Sequence, residues 1–112
     1  MEISRIIEEA NELADRYNLA LIEIDKTDNV VNLKLSIDTE LFIQIYGNAM
    51  KAKLNLALIF KKKRLYGYDS EGSKYHYHPF DNPDAQIFVE DRKSIHAFVQ
   101  ESMRYLEEKD IL

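Results

Sequence analysis

Val31–Asp38 reads VNLKLSID. Val31, Leu33, Leu35 and Ile37 fall on one side of an extended chain, and Asn32, Lys34, Ser36 and Asp38 on the other. Successive side chains of a strand point to opposite faces, so this period of two marks a strand buried on one face only. Such a strand belongs to an antiparallel sheet with an apolar and a polar face. The neighbours repeat the theme. LALIEID (Leu19–Asp25) precedes it, and LFIQIY (Leu41–Tyr46) follows a tight Asp38-Thr39-Glu40 connection. KLNLALIF (Lys53–Phe60) is apolar on both faces and belongs near the sheet centre. RLYGYD (Arg64–Asp69) and KYHYH (Lys74–His78) complete the series, separated by SEGS. Connections of two to six residues favour pairing of sequential strands as a meander. PFDNPDAQ (Pro79–Gln86) reads as an irregular loop fixed by Pro79 and Pro83.

An apolar sheet face needs a cover. Two segments supply one. Over residues 2–18, Ile3, Ile6, Ile7, Ala10, Leu13, Ala14 and Tyr17 recur at helical steps, with Asn18 as the stop. Over Ser94–Lys109 the same period returns through Ile95, Phe98, Val99, Met103 and Leu106, with Ser94 as the N-cap. The expectation is α+β: a single domain over residues 1–112, one antiparallel meander sheet of five or six strands, and both helices on one face. The other face is left open to a ligand.

The chain has no cysteine, which removes disulfides and thiolate metal sites. It has no apolar run of membrane length, and its acidic, interrupted N-terminus is unlike a secretory signal. A cytoplasmic protein without a membrane contact is expected. Net charge is −5, which argues against a general nucleic-acid coat. The charge is unevenly spread, however. Between Lys51 and His78 stand seven basic residues and two acids. That basic island could attract a polyanion, or could be a lysine-guarded strand edge.

The last hairpin holds His76 and His78, four of the seven tyrosines, and the island's end. The i, i+2 spacing puts both histidines on one strand face. Alternation alone puts Arg64, Tyr66 and Tyr68 on one side of the preceding strand and Asp69 on the other. Register decides which set meets the histidines. Three readings follow. RNA cleavage without a metal needs a base for the 2′-hydroxyl, an acid for the leaving oxygen and a cation for the phosphate. A metal could take the H-x-H pair with Asp69 or Asp81. The rings could also be plain strand-surface residues, or a tyrosine-rich grip on a protein partner. His96, in the last helix, reads as a surface residue.

Tyr68-Asp69, Gly72 and His76-Tyr77-His78 resemble the Y-D-x-x-G…H-x-H pattern of the TumE-like toxin family. The flanks Phe42–Asp69 and His78–Asp84, with the helix at Ile95–Glu108, are similar to it as well. The resemblance implies the toxin of a type II toxin–antitoxin module, an endoribonuclease acting on cellular RNA and neutralised by a helix-turn-helix antitoxin. With that implication, the expected catalytic residues are His76, His78, Arg64 and Asp69, with Asp69 orienting a histidine. Lys62, Lys63, Lys74, Tyr66 and Tyr68 would contact phosphate, base or ribose. No metal or cofactor is expected. A homodimer is one open arrangement. The alternative is a non-enzymatic interaction protein that binds a partner through its tyrosine and histidine face.

Overall fold

The computed structural model describes all residues, Met1–Leu112. The order is α1 (Ile3–Tyr17), β1 (Ala20–Lys26), β2 (Val30–Ser36), β3 (Leu41–Asn48), β4 (Lys53–Phe60), β5 (Lys63–Glu71), β6 (Lys74–His78), β7 (Ile87–Val89) and α2 (Ile95–Glu108). The strands form one antiparallel sheet in sequence order, β1 to β7. The α+β meander with two covering helices is therefore the fold, and β4 lies at its middle.

The sheet has seven strands where five or six were expected. The extra one is β7, just after the proline loop. It pairs with β6 through Tyr75–Val89, His76–Phe88 and Tyr77–Ile87. Three residues are too few to show alternation, so its pattern is silent. Its Ile-Phe-Val composition nevertheless suits a strand.

Val31, Leu33 and Leu35 of β2, Ile43 and Ile45 of β3, and Leu56 and Leu58 of β4 are completely or almost completely buried. They form the helix face. α1 lies over β1 to β3 and α2 reaches β4. Each leucine withdrawn from water there contributes about 1.5–3 kcal/mol. Local signals fix the ends of the elements. Asn18 adopts a left-handed conformation (φ 55°) and its N–H donates to Ala14 O. Ser94 accepts from the Ala97 N–H at 3.1 Å. Asp38 Oδ1 accepts from the N–H groups of Glu40 (2.8 Å) and Leu41 (2.9 Å), which closes the β2–β3 turn. Between the helices, His96 Nε2 lies 2.9 Å from Arg16 and Nδ1 lies 3.3 Å from Glu9. His96 thus joins α2 to α1, away from the hairpin.

Candidate functional site

Register settles the hairpin. Asp69 stands opposite His76, Gly67 opposite His78 and Tyr68 opposite Tyr77. Opposed residues of an antiparallel pair share a face. Both histidines therefore lie with Asp69 on the open face, and Tyr75 and Tyr77 turn to the helix face with Tyr68.

Arg64 should by alternation have gone with the tyrosines. It does not, because Leu58 pairs with Tyr66 while the next residue, Ile59, pairs with Arg64. Leu65 is the extra residue of a β-bulge, and a bulge resets which face the chain presents. Arg64 consequently joins Asp69 and the histidines.

Asp69 Oδ2 is the centre of this group. His78 Nε2 lies 2.9 Å from it, and Arg64 Nη1 lies 3.6 Å from it. The second nitrogen of His78, Nδ1, is 2.9 Å from the carbonyl oxygen of Pro83 in the loop before β7. A carbonyl and a carboxylate both accept, so both bonds are made only by a ring carrying both protons. His78 is clamped and 6% exposed. His76 is different. Its ring is half-buried, meets the Phe88 ring edge-on at 4.5 Å, and has no hydrogen-bond partner. Arg64, too, donates no hydrogen bond within the protein, although a guanidinium has five N–H groups.

Beside this group lies a hollow of about 330 Å³, lined by Gln44, Tyr46, Lys53, Asn55, Ala57 and Arg64. Ala57 pairs with Gly67, so no large side chain rises from either central position. Gly67 cannot be otherwise: a Cβ there would stand 2.5 Å from the Leu56 carbonyl oxygen. Asn55 faces Asp69 across the same ladder. Asn55 Oδ1 and Asp69 Oδ1 are buried without hydrogen-bond partners.

The remaining expected residues lie elsewhere. Lys62 and Lys63 are exposed at the β4–β5 hairpin tip, and Lys74 is exposed opposite Glu71. Tyr66 is not a surface residue. It is 0% exposed, stacked between Phe80 (3.9 Å) and Phe98 (4.9 Å), with its hydroxyl 2.6 Å from Ser102 Oγ. Burial holds that hydroxyl well above the usual tyrosine range. Tyr68 is also on the helix face, stacked on Tyr77 at 4.7 Å with Lys93 Nζ 4.7 Å over its ring. Neither tyrosine shares a face with the histidines, because the register sets Tyr68 opposite Tyr77, and the bulge separates Arg64 from both tyrosines. Lys93 in turn lies 2.8 Å from Glu101. Burial works against its charge, but the bond and the charge of Glu101 outweigh it and raise its pKa. Burial, then Glu101, raises Tyr68 and Tyr77.

Sequence reading missed Gln44, Tyr46, Asn55 and Phe88. Asn55 had a signal, as the one polar residue within the apolar LNLALIF run; Phe88 had none. No three histidine, aspartate or glutamate side chains converge as metal ligands would. No helix is long and apolar enough to cross a membrane. Comparisons with protein-family models, characterised proteins and solved structures return no match.

Proposed function

We propose that the protein is the toxin of a type II toxin–antitoxin pair and a metal-independent endoribonuclease that works on the open face of its sheet. The observation behind this reading is the gathering of Arg64, Asp69, His76 and His78 on that face. Arg64, free of hydrogen bonds, holds the scissile phosphate and offsets its growing charge. His76, with both ring nitrogens unengaged, takes the proton of the ribose 2′-hydroxyl. The 2′-oxygen bonds to phosphorus, the bond to the 5′-oxygen breaks, and that oxygen takes a proton from water at the open face. Asp69 and His78 are positioning residues. The clamp from Pro83 through His78 fixes Asp69, and Asp69 fixes Arg64.

The test is RNA decay by the purified protein in EDTA, with product ends analysed. Wild type should leave 2′,3′-cyclic phosphates, and His76→Ala and Arg64→Ala should each slow cleavage about 100-fold or more. Intact RNA with folded wild type overturns the reading. The antitoxin would present acidic residues to Lys61, Lys62, Lys63 and Arg64, and its grip would weaken with salt. A second reading has its own observation: Phe88 is 73% and Ile87 47% exposed on the outermost strand. Such apolar exposure suits a protein partner on a non-enzymatic interaction module. In that case Phe88→Ala weakens partner binding, while His76→Ala has no cleavage to remove.

A further inference from the structure

We infer that the hollow over Ala57 seats one unpaired nucleobase and selects bases carrying an amino group over uracil. The inference rests on the RNA reading above and adds the specificity determinant. The floor is the first reason. Ala57 and Gly67 remove side-chain bulk at adjoining positions in the middle of the face, while Gln44 and His78 flank them in the same row. A flat group can therefore lie against the sheet there. The walls are the second reason. They are polar, with Tyr46 as the aromatic member. Unpaired bases stack on aromatic rings and are read along their edges by amides. A base inside a duplex offers neither its face nor its pairing edge, so the seat is for single strands.

The amides also indicate what they read. Gln44 Nε2 donates to Asn32 Oδ1 at 3.2 Å, which leaves the Gln44 carbonyl without a partner. The two orphaned oxygens, Asn55 Oδ1 and Asp69 Oδ1, belong to directly opposed residues. Gln44 and Asn55 both line the hollow, and each has an amide oxygen without a hydrogen-bond partner. Two amide carbonyls then border the hollow. They match the donor groups of adenine, cytosine or guanine, and they oppose the carbonyl oxygens of uracil. Arg64 lines the same hollow. A base seated here therefore places its own phosphate beside the guanidinium that the proposed cleavage uses.

The test is fluorescence anisotropy with labelled oligonucleotides of A, C or U and an A·U duplex, using His76→Ala protein so that nothing is cleaved. Single-stranded A and C should bind about tenfold more tightly than U, the discrimination expected of one good base contact, and the duplex should bind least. Ala57→Leu fills the floor and should lower binding of A and C at least tenfold at unchanged circular dichroism. Gln44→Ala, which leaves the floor alone, should erase the preference over U. Equal binding of A, C and U, or A and C bound undiminished by folded Ala57→Leu, overturns the seat. The two readings fail separately. Cleavage unaffected by Ala57→Leu leaves the nuclease and removes the seat. Base-selective binding by a protein that cleaves nothing leaves the seat and removes the nuclease.

Discussion

Leu65 is the residue on which the candidate site depends, and it does nothing there itself. As the bulged residue it rotates Arg64 onto the face of Asp69 and the histidines. Gly67, two positions on, keeps the adjoining strand close. A Cβ at Gly67 would meet a main-chain oxygen at 2.5 Å, which no side-chain rotation can relieve. Gly67→Ala should therefore destabilise the protein by about 2 kcal/mol or more, through strain rather than lost contacts. Urea unfolding measures it, and a change under about 0.5 kcal/mol would show that the strands part easily. Sequence revealed this scale unevenly. The shared face of His76 and His78 follows from spacing alone, and Asp69 was one of two partners it allowed. The bulge had no signature, since no glycine, proline or polar residue marks Leu65. For that reason Tyr66 was expected beside Arg64 and is instead in the core.

Among the elements, the β4–β5 hairpin departs furthest from local preference. Its two-residue turn is Lys61-Lys62, at φ 50° and 66°. Mirror-image turns of this kind favour Asn-Gly, because side chains with a Cβ are strained at positive φ. The neighbouring turn follows the rule, with Gly72 at φ 60°. Replacing Lys61-Lys62 by Asn-Gly should stabilise the fold by about 1–2 kcal/mol. If these lysines serve an anion, the same change should weaken RNA binding at low salt and flatten its salt dependence. Thermal unfolding and a salt titration check the two halves. Stabilisation with unchanged binding would make the tip lysines surface decoration. Period-two alternation made β2 and β3 legible because each buries one complete row of apolar side chains, and β4 was legible as an apolar run. Alternation could not find β7, whose three residues are held by their partner β6 rather than by a pattern of their own.

At the scale of the molecule, the two faces divide the chemistry. The open face carries Arg64, paired with Asp69, and the two histidine rings, while the helix face buries Tyr66 and half-buries Tyr68 and Tyr77. Tyr66, Tyr68 and Tyr77 are raised chiefly by burial, and Lys93 by Glu101 against its burial. All four shifts are upward, so all four have the same sign in folding. Above pH 10 the unfolded chain releases protons that the folded chain retains. Stability is thus fully present below the ordinary values of 10.0 for tyrosine and 10.5 for lysine, and is lost as pH climbs from there through the raised folded values. The protein should unfold cooperatively in alkali, with helix loss and tyrosinate absorbance appearing together. Each linked group steepens the loss by up to about 1.4 kcal/mol per pH unit. Tyr66→Phe removes the most deeply buried of these hydroxyls. It should lower stability at neutral pH by about 1 kcal/mol, since Ser102 loses its partner. It should also make the alkaline decline shallower by one proton. Urea midpoints of both proteins between pH 8 and pH 11 measure the two slopes. Parallel slopes would mean that the Tyr66 hydroxyl reaches water in the folded protein, and the packing of α2 against β5 would have to be looser than its stacked rings imply.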